Sequence, residues 1–467
     1  MKSELLLVET CGTKETEYRK KDPLRIERVV PKPSFGWNIG SFFLNFFKEI
    51  LLPHGYPDSV SNDYFEYQVW DTLQAFCSTI TGSFTTRAIL KGVGVGDAKA
   101  SALSATITWI MKDGSGMIGR IFFAWWKGSM LDCDCKKWRL FADILNNFAM
   151  AIELGIPYYS HKSMEILCLT SIMKSIVGIA GGATRASITY HQAKQGNMAE
   201  ISAKDGTQET VVNLIASLTS LYLLSKILNP MYEVLFIFFL MILHLYFNYK
   251  AVTCLTFDTL NDSRMTLVLK EYCMNNSLNL AFINGKESVI LGLGENVSDI
   301  CSFKIKLGNS LSRIVELYNY EEMQQMLQVY ENKPYLIIPD VEKRHIYIAL
   351  EKRCDPLEVL HSYVHGVMIA MATSFYNDIP LKVHVIRKRN QTNLVARIAT
   401  FMKSMRRNTE YQNNMSAEEL KLFNEFVEPE IAMFFVTLDV YKWNKNCHSL
   451  SMQHWKTNRK FYSEKNE

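Results

Sequence analysis

Five residues pose the chemistry first: Arg185, His191, Lys204, Asp205 and Glu209. They bracket one junction between apolar stretches. A guanidinium, an imidazole, an ammonium and two carboxylates can together hold a small polar or anionic molecule. The functional reading is that the five converge on one polar pocket near a membrane face. Arg120, Arg185 and Lys204 are the expected anion partners, and Asp113 and Asp205 the orienting or capping acids. A plainer account covers part of this set. Asp205 can cap a helix, and Gln208, three residues later, completes a capping-box-like arrangement.

Other motifs carry less. Gly114-Ser-Gly116-Met-Ile-Gly119 matches the glycine pattern that brings backbone amides to a pyrophosphate. That chemistry needs a strand before it, and Ala98–Met111 reads as a helix. A glycine-mediated turn or close helix contact fits better. Gly92, Gly94 and Gly96 form a second flexible loop, with Asp97 as a helix cap. Cys133 and Cys135 lack the further ligands that tetrahedral zinc requires. His361 and His365 share a helix face without the glutamate of a zinc protease, so they read as ordinary helix histidines. No cofactor or metal is expected. From Leu381 to Thr409 eight basic residues occur without an acid. Leu394, Ile398, Phe401, Met402 and Met405 recur there at helical spacing. Such a stretch either lies on anionic lipid as a basic amphipathic helix or is a solvated surface helix or mobile loop.

These residues must be positioned by helices. The fold class expected is mainly α: a multi-helix, membrane-associated N-terminal domain followed by a smaller α+β domain. Residues 1–60 read as a leader, with a short helix at Phe42–Leu52. Helices are expected at about 63–90, 97–112, 117–128, 138–155, 163–195, 205–228 and 231–249, because the apolar runs exceed strand length and lack alternation. Thr210–Ser225 and Val234–Tyr249 carry no charge and flank Asn229-Pro230. With their flanks each nears the ~20 residues of a span. They read as a membrane hairpin with Lys204 and Lys250 on the cytosolic side; a buried core hairpin is the alternative. For the earlier helices a membrane bundle and a soluble amphipathic bundle stand level. Residues 263–375 read as the α+β domain. Its strands are Ser302–Leu307, Pro334–Ile338 and His345–Leu350, and its helices Tyr320–Tyr330 and Pro356–Thr373. Residues 376–467 read as a charged helical extension.

Composition excludes several classes. With 467 residues, 48% hydrophobic and 21% charged, the chain is neither disordered nor low-complexity. A mean hydropathy of −0.03 excludes a chain buried wholly in lipid. Fifty-one basic against 47 acidic residues give +4, too mild to imply nucleic acid. Ten scattered cysteines suit a reducing compartment. The start mixes acids with a short apolar patch at Leu5–Val8, so no signal or transit peptide is expected. An intracellular membrane is the expected location.

In order along residues 50–265, the chain resembles the root UV-B sensitive (RUS) family. The matching words begin with Pro53-His-Gly-Tyr-Pro57-Asp-Ser-Val60, Asp63-Tyr64, Tyr67-Gln68, Trp70-Asp71 and Leu90-Lys-Gly-Val-Gly-Val-Gly-Asp97. Thr108-Trp109, Lys112-Asp-Gly114, Gly116-Met117, Gly119-Arg120, Lys137-Trp-Arg139 and Ala142-Asp143 follow. The set ends with Gly181-Gly-Ala-Thr-Arg185, His191-Gln192, Ala203-Lys-Asp-Gly206, Gln208-Glu-Thr210, His244-Leu-Tyr246 and Asn248-Tyr249. The resemblance implies a membrane-associated protein of unassigned biochemistry and no transferable catalytic residues. Plant relatives are linked to seedling development, UV-B response, vitamin B6 homeostasis and auxin transport, and some act as a plastid pair. The expectation is a non-enzymatic protein that binds or moves a small polar solute, such as a B6 vitamer. Expected partners are membrane lipid, that solute, and a family member or second copy, with no nucleic acid. The alternatives are a membrane-anchored adaptor and a nucleotide-dependent enzyme.

Overall fold

The computed structural model describes residues 5–11, 14–22, 25–29, 46–93, 102–227, 229–383, 387–388, 391–405 and 414–458. The chain divides into two compact units, Met1–Leu255 and Thr256–Glu467. It is mainly helical, with a few small sheets.

The first unit opens on a three-stranded antiparallel sheet where a leader was expected. Its strands are β1 (Leu5–Cys11), β2 (Lys14–Asp22) and β3 (Arg25–Val29). Cross-strand polar pairs hold it: Tyr18 donates to Glu9 at 2.7 Å, and Lys21 pairs with Glu27. Residues 46–51 are helical, and Phe42 to Asn45 lie outside the described residues.

Among the described residues six long helices follow. They are α1 (Tyr64–Gly92), α2 (Ala102–Lys127), α3 (Cys135–Leu154), α4 (Ser163–Gln192), α5 (Met198–Lys226) and α6 (Pro230–Cys254). Helix α1 is central and packs on α3, α5 and α6, while α4 packs on α2, α3 and α5. Two expected helices, 97–112 and 117–128, are one continuous rod in α2. The glycines that suggested a break are instead where α2 meets α4. A Cβ on Gly116 would sit 2.6 Å from Ser171 Oγ, and one on Gly119 would sit 2.9 Å from Ile172 Cγ2. Gly114–Gly119 therefore lies inside a helix that is already under way from Ala102, where the dinucleotide pattern needs a strand, and the dinucleotide reading falls. Gly92 closes α1 tightly against Ile156. The loop from Gly94 to Asp97 lies outside the described residues.

Apolar residues of α1, α3, α5 and α6 form one core, with Phe84, Met150, Ala216 and Ile237 at its centre. The outward faces are also apolar. Ile121 and Trp125 of α2, Leu218 of α5 and Ile242 of α6 are 71%, 78%, 60% and 66% exposed. Among the described residues three stretches are long and apolar enough to cross a membrane, by length and composition: Cys135–Tyr158, Ser160–Gln192 and Pro230–Cys254. The first expected span, Thr210–Ser225, is not among them. Its helix α5 starts at Met198 and carries Lys204, Asp205 and Glu209.

In the second unit, β5 (Lys304–Leu307), β6 (Tyr335–Asp340) and β7 (His345–Glu351) stand where strands were expected. Strand β7 pairs in parallel with β5 and antiparallel with β6. Helix α10 (Pro356–Tyr376) packs on this sheet, closely enough that a Cβ on Gly366 would meet Ile348 Cδ1 at 2.8 Å. The longer helices before it are α7 (Asp262–Cys273), α8 (Leu280–Lys286) and α9 (Tyr320–Val329). Strand β4 (Thr259–Asn261) precedes them all.

Beyond residue 376 the chain does not peel away as an extension. Helix α11 (Leu394–Met405) buries Leu394, Val395, Ile398 and Met402 in the same core. The apolar face of the basic helix is thus already covered, which removes the lipid-surface reading for it. Helix α12 (Ala417–Val440) adds Phe423, Val427, Ile431 and Phe434. Strand β8 (Asn444–Ser449) pairs with β4, and β9 (Lys456–Thr457) with β7, both in parallel.

Candidate functional site

The interior of the six-helix unit is laced with charge. Asp71 on α1 accepts from Arg139 Nη2 on α3 at 2.8 Å. Arg139 also reaches the carbonyl of Gly181 on α4 at 3.5 Å. One helical turn beyond Arg139, Asp143 accepts from Gln74 Nε2 of α1 at 2.6 Å and from Asn248 of α6. Gln74 lies 3.3 Å from His244 Nε2, also on α6. Asn147 donates to the Met241 carbonyl at 2.9 Å, and Lys174 pairs with Glu153 at 2.5 Å. In low-dielectric surroundings such cross-links fix which helix faces meet, because breaking one leaves an orphaned polar group.

A second knot sits where α4 meets α5. Arg185 Nε donates to Asp205 at 2.6 Å and Nη1 to Glu209 at 2.7 Å. Asp205 and Glu209 stand one turn apart, so one guanidinium spans both. This corrects the capping role given to Asp205. Helix α5 begins seven residues earlier, and the carboxylate faces Arg185 rather than a helix end. Thr79 of α1 donates to Asn213 of α5 at 2.6 Å. Between the two knots lies a cleft of about 290 Å³, bordered by Asp71, Gln74, Arg139, Gly181, Arg185 and Glu209. Bare glycines at 181 and 182 leave the space open, since a Cβ on either would meet nothing within 4 Å.

The other expected site residues go elsewhere. His191 pairs with Asp63 at 2.9 Å, and Asp63 also accepts from Ser61. Lys204 donates to the carbonyl of Glu49. Asp113 is exposed beside Lys112 on α2, and Arg120 is exposed on the same helix. Of the five residues expected to converge, the structure brings together Arg185, Asp205 and Glu209. Asp71, Gln74, Arg139, Asp143, His244 and Asn248 went unassigned as site residues. A signal was present: polar residues at i,i+3 or i,i+4 within apolar helices, namely Asp71/Gln74, Arg139/Asp143 and His244/Asn248.

The cysteines and helix histidines are structural. Cys133 and Cys135 donate weakly to the carbonyls of Ser129 and Thr184. Among the described residues no cluster of His, Cys, Asp and Glu could hold a metal ion. His361 stacks on Phe435 at 3.9 Å. His365 is buried between the Tyr335 hydroxyl (3.2 Å) and Asn424 Oδ1 (2.9 Å), and burial holds its imidazole down at about 3.

Comparison with known proteins adds identity. Residues 38–276 match the model of the vitamin B6 photo-protection and homoeostasis domain, and residues 276–459 that of the root UVB sensitive protein C-terminal domain. The chain is 46% identical to RUS family member 1 of Dictyostelium discoideum over 62% of its own length and 54% of that protein's. It is 34% identical to protein root UVB sensitive 3 of Arabidopsis thaliana over 71% of its length and 77% of that protein's. It is 26% identical to the chloroplastic protein root UVB sensitive 2 of the same plant, over 72% and 75%. The chain thus spans about half the length of the Dictyostelium relative and three quarters of these two plant ones. No solved structure matches it. Both halves of the chain, the charged helical bundle and the unit built around β7, belong to the root UV-B sensitive family.

Proposed function

We propose that this chain is a membrane protein that binds or passes a small polar solute without transforming it. The cleft between α1, α3, α4 and α5 is its site. The carrying observation is a polarity arrangement. Arg139–Asp71 and Arg185–Glu209 face a cleft inside the bundle, while Ile121, Trp125, Leu218 and Ile242 face outward. Ionisable residues inside a lipid-facing bundle are expensive, and they persist where they serve a pathway or a site. Three spans by length and composition support the same reading.

A cleft of about 290 Å³ suits one substituted aromatic ring with polar arms. An unphosphorylated B6 vitamer has that size. The family model matching the helical unit is described by vitamin B6 photo-protection and homoeostasis. A free anion is a poorer fit than the sequence suggested. Both guanidiniums already hold carboxylates, and Arg120 and Lys204 do not border the cleft.

The test uses the full chain. Carbonate extraction of membranes reports embedding, and calorimetric titration of detergent-solubilised protein with pyridoxine reports the site. Gly181→Leu places a side chain in the cleft where a Cβ meets nothing within 4 Å, so it should abolish binding and leave the melting temperature near wild type. Full-length protein that is monodisperse in plain buffer would remove the membrane reading. Unchanged binding in G181L would remove the cleft.

A further inference from the structure

The charge around the cleft does not balance. Two guanidiniums, Arg139 and Arg185, stand with four carboxylates: Asp71 and Glu209 border the cleft, and Asp143 and Asp205 lie behind its wall. With the acids ionised these six groups carry two surplus negative charges. A buried charge without a counter-charge is costly, so a cation entering the cleft gains what an anion would lose.

The hydrogen-bonding inventory points the same way. A carboxylate only accepts, so Asp143 fixes the Gln74 amide with its nitrogen toward α3. That leaves Gln74 Oε1 as an acceptor without a partner, on a side chain only 7% exposed that borders the cleft. Asn248, turned the same way by the same carboxylate, leaves its Oδ1 unpartnered too. A buried acceptor of this kind favours a donor, and an N–H of a charged group suits it best. Arg185 adds to the imbalance, since one positive charge is shared by Asp205 and by Glu209 at the more exposed rim.

We infer that the cleft selects solutes that carry a protonated amine over neutral or anionic solutes of the same shape. This rests on the reading of the cleft as the solute site. The solute's ammonium sits among Glu209, Asp71 and the free oxygen of Gln74. Its ring lies against Gly181, where side-chain bulk is missing.

One matched series tests it. Pyridoxamine, pyridoxine and 4-pyridoxate share a ring and differ at one position: an ammonium, a hydroxyl or a carboxylate. Each is titrated by calorimetry into the full chain in detergent at neutral pH. Pyridoxamine should bind at least about tenfold more tightly than pyridoxine, as a charge-assisted hydrogen bond replaces a neutral one. 4-Pyridoxate should bind weakest. Glu209→Gln should bring the amine-to-alcohol ratio to about one, and Glu209→Asp should restore the ratio. Equal affinities, or a preference for 4-pyridoxate, would overturn the selectivity and leave the cleft standing as a solute site. A ratio unmoved in E209Q would overturn it as well. If none of the three binds, the solute-site reading goes, and this inference with it.

Discussion

The Asp71 carboxylate of α1 and the Arg139 guanidinium of α3 meet at 2.8 Å inside the bundle, with little of either side chain exposed. Each charge keeps only a narrow contact with water. Asp71→Ala should therefore destabilise the helical unit by roughly 3–5 kcal/mol, the usual result of leaving one half of a buried pair behind. Asp71→Asn, which still accepts a hydrogen bond, should lose less. Denaturant unfolding of the detergent-solubilised chain measures both, and equal losses would show that charge is not what the pair supplies.

The glycines of α2 give a contrast within one helix. A Cβ on Gly119 would meet Ile172 Cγ2 and Ser175 Oγ at 2.9 Å, whereas one on Gly114 would meet nothing within 4 Å. Gly119→Leu should cost about 1–3 kcal/mol through forced separation of α2 from α4. Gly114→Ala should be neutral or slightly stabilising, since alanine is the better helix former. Thermal melts of the two variants decide it; a loss in G114A comparable to that in G119L would refute the packing account.

Trp125 and Trp138 test the outward faces. The first is 78% exposed on α2 and the second is buried at 6%. In variants that keep one of the eight tryptophans, brominated lipid should quench Trp125 strongly and Trp138 weakly. Quenching of Trp125 by aqueous iodide instead would place that face in water.

His365 makes the second unit acid-sensitive. Its folded imidazole titrates at about 3, against an ordinary value near 6.5. Burial is the main cause, and the Lys333 charge adds to it. The unfolded chain takes the proton first, so the contribution is complete above about pH 6.5 and drains away as pH falls toward 3. At pH 5 the loss is about 2 kcal/mol. His345, His361 and His448, also lowered by burial, act in the same direction. Hydrogen exchange of the α10 amides, corrected for intrinsic rates, should lose protection from pH 7 to 5. His365→Phe should flatten that slope; an unaltered slope would exclude His365 as its source.

The knot of Arg185, Asp205 and Glu209 was legible because two acids one turn apart advertise a helix face on their own. The other half of the cleft was not. Asp71, Asp143 and His244 lie on three helices separated by some seventy and a hundred residues of chain. Periodicity gives the face of each helix but not which faces meet. The break expected in α2 failed for a related reason. Gly114, Gly116 and Gly119 look like punctuation in a linear string, and their use becomes plain only when α4 lies alongside. The three strands around β7 stood out through apolar runs between turn residues. Strand β9, two residues long, carries no such pattern and exists through pairing alone.

That pairing has a consequence for biosynthesis. Strand β7 finishes at Glu351, yet its neighbour β9 arrives at Lys456. During translation the helices of the first unit emerge long before the second unit can close its sheet. A stall or premature stop between residues 376 and 456 releases a chain whose bundle is complete and whose β7, flanked by β5 and β6, keeps a short open edge at Leu350 and Glu351. Such an edge is an invitation to foreign strands, so quality control should recognise truncated copies by their second unit, not their first.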